Sequence, residues 1–210
     1  MKECALSELD HLVRTRMLPG ACRFGMTRVW RGRVFGLLSF GAIARLIAER
    51  ARAFGVEVWA HDPFLDESEI RAHQVRPVSF DRLVEGADFL VIQAPLTPET
   101  HHTFDRTTLR RMKPTAVLIN TGRGPIVEDA ALYQALAEGW IAGAALDDLE
   151  DEPAKQRDWR PRNPLFTLPN VIITQRRDGR GFRVRATPEP GLNVPEGAAA
   201  CGVPSCWDAG

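Results

Sequence analysis

Arg123 sits between two glycines in Asn120-Thr-Gly-Arg-Gly-Pro125, directly after the apolar run Ala116-Val-Leu-Ile119. A guanidinium on such a turn offers a planar pair of N–H donors, a geometry that a carboxylate accepts and a lysine ammonium cannot reproduce. Asp62 ends another run, Val56-Glu-Val-Trp-Ala-His-Asp62, and upstream of it lies the turn Ser39-Phe-Gly-Ala-Ile-Ala44. That turn is a degraded G-x-G-x-x-G/A. Glycine, here Gly41, lets a backbone approach a pyrophosphate, and a small third residue, here Ala44, lets a helix pack on a strand. An acidic side chain about 20 residues on, at the end of the second strand, accepts the hydrogen bond of a ribose 2′-OH, and Asp62 has that spacing. Ser39 holds the first glycine position, where the tight turn is made, so a strained loop and weaker dinucleotide binding are expected. A third stretch, Ile141-Ala-Gly-Ala-Ala-Leu-Asp147, puts a carboxylate at a strand end, with Glu152 further on in an acidic run of the kind that is ordinarily solvated.

The elements that must position these residues alternate from Val34 onward. Apolar β-rich runs at 34–38, 56–60, 89–94, 116–120, 141–146 and 171–174 are separated by helical patterns at 42–54, 66–73, 79–86, 105–111 and 129–138. In the first helix Ile43, Leu46, Ile47 and Ala51 keep one face apolar, Arg45, Glu49, Arg50 and Arg52 occupy the other, and Gly55 ends it. The alternation predicts an α/β fold, a Rossmann-type doubly wound parallel sheet, over residues 30–175. Ligands of such sheets bind beyond the carboxyl ends of the strands, so Asp62, Ala94-Pro95, Thr121 to Gly124 and Asp147 are expected to face one cleft. The terminal extensions differ. Residues 1–29 read as an irregular arm with a short helix around Leu6 to Val13, and 176–210 as a disordered Arg/Gly/Pro/Ala-rich tail.

The 27 basic and 27 acidic residues balance, so general attraction to nucleic acid or a membrane surface is excluded as the main activity. No apolar run has the length of a membrane helix and no signal peptide is legible, which makes a cytoplasmic protein the expectation. Cys4, Cys22, Cys201 and Cys206 lack zinc-site spacing, so reduced thiols and no metal centre are expected. His101 and His102 read as ordinary surface histidines, because adjacent side chains in a loop rarely converge on one target, and His61 as a neighbour of an adenosine end.

With Pro95-Leu-Thr-Pro-Glu-Thr100 and Arg111-Met-Lys-Pro114 added, these stretches resemble, in the same order, the cofactor domain of the NAD-dependent D-isomer-specific 2-hydroxyacid dehydrogenases. The resemblance runs from about Trp30 to Thr174. It implies NAD as cofactor, with the pyrophosphate held by backbone at Gly41, Ala42 and Ile43, and the adenosine ribose by Asp62. A carboxylate there favours NAD over NADP by repelling a 2′-phosphate. Ala94, Thr121 and Asp147 match positions lining the cofactor toward its nicotinamide, Arg123 the arginine that orients the substrate, and Glu152 the carboxylate that pairs with an acid/base histidine. The substrate implied is a small 2-hydroxy or 2-oxo acid, and the assembly a homodimer joined through cofactor domains.

Two departures bear on activity. The histidine expected after Val171-Ile-Ile-Thr174 is absent, the chain reading Gln175-Arg176 instead. An arginine keeps its proton and cannot exchange it, which implies a rate loss of ~10²- to 10⁴-fold. The family's substrate domain is also unrecognisable here, as in a truncated or frame-altered copy of a dehydrogenase. Three readings stay open: an NAD-dependent oxidoreductase acting on D-2-hydroxy acids; a catalytically silent NAD-binding module that senses cofactor or engages a protein partner, some relatives with this fold acting in transcriptional corepression; and a gene fragment without function.

Overall fold

The computed structural model describes residues 30–150, 163–176 and 182–186. Its central strands are built from the runs that carry continuous apolar sequence, as strands buried on both faces require. In chain order these are β1 (Val34–Leu38), β2 (Glu57–His61), β3 (Arg76–Pro77), β4 (Phe89–Ile92), β5 (Val117–Asn120), β6 (Gly143–Leu146), β7 (Val171–Arg176) and β8 (Phe182–Ala186). The helices between them are α1 (Ala42–Arg52), α2 (Glu67–Ala72), α3 (Phe80–Gly86), α4 (Arg106–Arg110) and α5 (Asp129–Ala137), with single 3₁₀ turns at Gly124–Ile126 and Pro164–Thr167. None of these helices is long and apolar enough to cross a membrane.

One sheet holds all eight strands in the order β3-β2-β1-β4-β5-β6-β7-β8. Strands β1 to β7 run parallel. From β1 the chain winds outward to β2 and β3, then returns to place β4 on the other side of β1 and continues through β7. The winding direction therefore reverses between β1 and β4, the position at which open α/β sheets form a crevice. Alternate strand residues feed two cores. Leu90, Ile92 and Leu118 pack with Leu83, Leu109 and Leu132 on one face, and Phe35, Val91 and Ile119 with Ala44, Ile47 and Ala51 on the other.

Helix α1 buries Ala44, Ile47, Ala48 and Ala51, the spacing of one helical stripe, while Arg50 and Arg52 occupy its last turn, where the dipole favours cations. Ser79 caps α3 by accepting from Arg82 N at 3.3 Å, and Asp105 caps α4 by accepting from Thr108 N at 2.8 Å. One acid lies deep: Asp88, 7% exposed, accepts from Val34 N at 2.8 Å and meets Arg33 and Lys113 at 3.3 and 3.2 Å. It ties the amino end of β1 to that of β4.

The five expected helices form, each starting and ending within two residues of its sequence pattern. Two strands lie outside the sequence pattern. The first, β3, is two residues long and includes Pro77, too short for a periodic signal. The second, β8, corrects the reading of 176–210 as a disordered tail over Phe182–Ala186, which pair antiparallel with Ile172–Arg176. The physical reason lies in Phe182-Arg-Val-Arg-Ala186, where apolar and charged residues alternate with the period of a strand inside an otherwise Gly/Pro-rich stretch. The rest of that tail, and the helix expected around Leu6 to Val13, lie outside the described residues.

Candidate functional site at the carboxyl edge of the sheet

Parallel register aligns His61, Leu38, Ile92, Asn120, Leu146 and Ile173 across six strands. The next residue of each strand is polar: Asp62, Ser39, Gln93, Thr121, Asp147 and Thr174. These six make a row along the carboxyl edge in which neighbours bond in pairs. Ser39 Oγ donates to Asp62 Oδ2 at 3.2 Å, Gln93 Nε2 donates to Thr121 Oγ1, and Thr174 Oγ1 donates to Asp147 Oδ1 at 2.7 Å. Backbone bonds continue the sheet to the same level, from Ser39 N to His61 O at 2.8 Å, Gln93 N to Leu38 O at 3.0 Å and Asp147 N to Asn120 O at 3.0 Å. Asp62, Thr121 and Asp147 thus lie along one edge of the sheet, as their positions at strand ends predict. Gln93 and Thr174 went unassigned in the sequence; their signal was the same as Asp62's, a polar residue closing an apolar run.

At the winding reversal, Ser39 has φ 71°, the left-handed region that costs a residue with a side chain roughly 1–2 kcal/mol. The expectation of a strained turn at this position agrees with that backbone. Asp62 holds the turn in place: its Oδ2 also accepts from Phe40 N at 2.8 Å, and its Oδ1 from Phe64 N at 2.9 Å. A carboxylate has about four lone-pair sites, so three bonds leave roughly one acceptor position for a ligand hydroxyl.

Gly41 caps α1 with an ordinary φ of −73°, and no side chain closes the helix end, whose first turn carries no acid. A Cβ added at Gly41 would meet nothing within 4 Å. Neither backbone conformation nor packing therefore requires glycine here. Gly41 and Ala42 are exposed and Ile43 is half-buried, so the helix terminus opens onto free space with its positive dipole end outward. The donor set and the space suit a diphosphate, and the remaining acceptor on Asp62 suits a ribose hydroxyl.

Beyond β5 the chain is shaped by a buried amide. Asn120, 1% exposed, donates from Nδ2 to Arg123 O at 2.9 Å and accepts from Gly122 N at 3.1 Å. Gly124 N donates to Asp148 Oδ2 at 3.2 Å, which brings the loop against the segment after β6. The approach is so close that a Cβ on Gly124 would lie 2.1 Å from Leu149 O and 2.2 Å from its carbonyl carbon. Arg123 is exposed at the crest of this loop; its Nη1 donates to Gly122 O at 2.9 Å, and among the described residues no acid pairs with it. Ala94, 6% exposed, lies buried just past Gln93 in the chain leaving β4.

Other sequence-selected groups stand apart or lie beyond view. Glu152 is outside the described residues. Thr174-Gln175-Arg176 continue β7 into its hairpin with β8. His61 is held by Val78 O, 3.0 Å from its Nδ1. His101 and His102 do not scatter as adjacent loop residues were expected to: their rings lie 3.9 Å apart, and His102 Nε2 is 2.6 Å from Glu150 Oε1.

Comparison with known proteins places this geometry among relatives. The family model for the D-isomer specific 2-hydroxyacid dehydrogenase NAD binding domain matches residues 6–175, reaching upstream of the motifs that begin near Trp30. A glyoxylate reductase of Korarchaeum cryptofilum is 42% identical over 142 residues, covering 68% of this chain and 41% of that protein. A D-3-phosphoglycerate dehydrogenase of Methanocaldococcus jannaschii is 38% identical over 144 residues, again 68% of this chain but 26% of that protein. Among solved structures, an NAD-dependent formate dehydrogenase of Staphylococcus aureus in complex with NAD superposes with a TM-score of 0.70 at 32% identity, covering 84% of this chain and 54% of that one. The chain spans less than half the length of both curated relatives.

Proposed function

This chain belongs to the D-isomer specific 2-hydroxyacid dehydrogenase family, matched through its NAD-binding domain, and we propose that it binds NAD across the winding reversal between β1 and β4, as the cofactor half of an oxidoreductase for D-2-hydroxy acids. The observation that carries this reading is Gly41: a glycine that the fold does not need leaves open space in front of an uncapped helix end. In this arrangement the amides at Gly41, Ala42 and Ile43 hold the pyrophosphate, and Asp62 accepts from the adenosine ribose with its remaining lone pair. The Asp62 charge disfavours the additional phosphate of NADP.

Toward the other end of the cofactor stand Ala94, Thr121 and Asp147. The paired bonds Gln93–Thr121 and Thr174–Asp147 fix the rotamers of the polar residues in that part of the row. NAD, when bound, supplies the hydride acceptor or donor. Arg123, free of acidic partners among the described residues, orients the carboxylate of a 2-hydroxy or 2-oxo acid through two parallel hydrogen bonds, and Glu152 is the remaining candidate for the acid/base apparatus. Relatives named for glyoxylate, phosphoglycerate and formate share this one domain, so substrate choice is made outside it.

A second reading is favoured by one specific observation, Arg176 near the place where the resemblance expects histidine. Without a group that exchanges a proton at neutral pH, the chain would bind NAD and stay catalytically silent, as a sensor or interaction module. Titration with NADH, followed by cofactor fluorescence, tests the premise common to both. Saturable binding that weakens in Asp62→Ala and is stronger for NADH than for NADPH supports it; no saturation up to millimolar NADH would falsify it. Turnover of glyoxylate, hydroxypyruvate or pyruvate by the same protein then separates enzyme from silent module.

A further inference from the structure

We propose that His101, His102 and Glu150 form a binding site for a divalent transition metal ion of the Zn²⁺ class, on the flank of the Arg123 loop. One imidazole nitrogen from each histidine and one Glu150 oxygen lie within 4.8 Å of one another. Tetrahedral zinc, with bonds of about 2.0–2.2 Å to such ligands, sets its donors roughly 3.4 Å apart, so the exposed His101 ring must draw in and the His102 Nε2–Glu150 Oε1 pair, 2.6 Å apart, must open by under an ångström as the ion replaces its hydrogen bond. Two imidazoles and one carboxylate select zinc and its neighbours over magnesium or calcium, which take oxygen ligands. A water fits the fourth position of a three-ligand centre.

The three groups are held in place from outside the cluster. His101 N donates to Thr97 O at 3.0 Å and His102 N to Pro125 O at 2.9 Å. Glu150 Oε2 accepts from Asp129 N at 3.2 Å, at the start of α5, which leaves Oε1 turned to His102 Nε2 at 2.6 Å. Such supporting bonds orient metal ligands and are costly to remove. His102 also has φ 53°, a conformation rarely adopted by a residue with a side chain. It is this backbone, pinned to Pro125, from which the ring reaches across to Glu150 instead of continuing into solvent. The cluster joins the segment after β4 to the segment after β6, and through Pro125 to the loop that presents Arg123. Bound metal would therefore lock three loops of the carboxyl edge together, independently of whether NAD binds.

The test uses the full chain, stripped with chelator and with its four cysteines alkylated, titrated with Zn²⁺ in competition with a chromophoric chelator and, separately, with Mg²⁺. One zinc per chain is expected, with no Mg²⁺ binding in the same range. His101→Ala, His102→Ala and Glu150→Gln should each weaken zinc binding by roughly tenfold or more. Because a variant can fail to fold, the wild-type imidazole ¹⁵N signals are followed during the same titration. Shifts confined to His101 and His102, with His61 and His73 unmoved, support the site. Absence of saturable zinc binding, or binding that leaves those two rings unshifted, overturns it and leaves the His102–Glu150 contact as a simple staple between loops.

Discussion

Replacing Gly124 by alanine is predicted to destabilise the protein, while the same change at Gly41 leaves stability nearly unaltered and weakens cofactor binding. The two glycines sit in the sequence's two loop motifs, and only the structure separates their roles. At Gly124 the new Cβ would lie 2.1 Å from Leu149 O, 2.2 Å from Leu149 C and 2.8 Å from Glu150 N. All three are backbone atoms, which cannot turn aside as a side chain can. Ordinary contact needs more than 3.4 Å, so the Arg123 loop and the segment after β6 must part by over an ångström. That opens the Gly124 N–Asp148 bond and disturbs the Asn120 bonds beneath it. Overpacking of this kind costs about 1–3 kcal/mol and a broken hydrogen bond about 1 kcal/mol, so the total is about 2–4 kcal/mol. For a chain of this size the midpoint of thermal unfolding falls by roughly 5–15 °C. At Gly41 the Cβ meets nothing within 4 Å and φ is −73°, so the midpoint should stay within about 2 °C of wild type. There the methyl group occupies the space assigned to the pyrophosphate, and NADH affinity should fall at least tenfold, on the order of 1.4 kcal/mol. Thermal denaturation followed by far-UV circular dichroism, with NADH titration of the same samples, reads both quantities. A Gly124→Ala midpoint within 2 °C of wild type would show that the two segments do not press together as the structure has them. Undiminished NADH binding by Gly41→Ala would remove the pyrophosphate from that helix end.

Three further outcomes follow from the same bonds. Ser39→Gly relieves about 1–2 kcal/mol of left-handed strain but loses the bond to Asp62 and adds chain entropy on unfolding, so stability should change by less than about 1 kcal/mol. Since it also frees an acceptor site on Asp62, NADH should bind several-fold more tightly; a weakened affinity in fluorescence titration would contradict this. Asn120→Ala strands Arg123 O and Gly122 N, and chemical denaturation should register a loss of about 1–3 kcal/mol. Asp88→Ala leaves Val34 N without its acceptor and is expected to cost about 1–3 kcal/mol, chiefly through that bond, because its two cationic partners, Arg33 and Lys113, are both partly exposed and their ion pairs contribute little; raising the salt concentration should therefore change the penalty only slightly.

Much of the fold was legible because its strands are buried on both faces. Val34–Leu38, Phe89–Ile92 and Val117–Asn120 stand out as unbroken apolar runs, and the helices between them repeat their apolar residues with helical spacing. What was hidden had no such pattern. β3 is held by its neighbour rather than by its own two residues, and β8 is masked by the composition around it. Along the carboxyl-edge row, Asp62, Thr121 and Asp147 were legible because a polar residue ending an apolar run marks the rim of the sheet. Gln93 and Thr174 carried the same mark but match no motif, and their bonds to Thr121 and Asp147 depend on strand order, which residue spacing does not encode.

The alternation of strands and helices and the glycine turn from Ser39 to Asp62 are written in the residue order, and the order of the motifs carries the family. The alternation rests on local periodicity and the turn on the small volume of glycine and alanine, whereas the family rests on several motifs recurring in one order. Tertiary packing alone aligns six strand ends into one polar row. It also decided that Gly124 is required by the backbone of Leu149 while Gly41 is required by nothing in the fold, and that His101, His102 and Glu150 converge. Each of these is a contact between residues distant in the chain, brought about by parallel register and sheet order, and no local pattern carries that information.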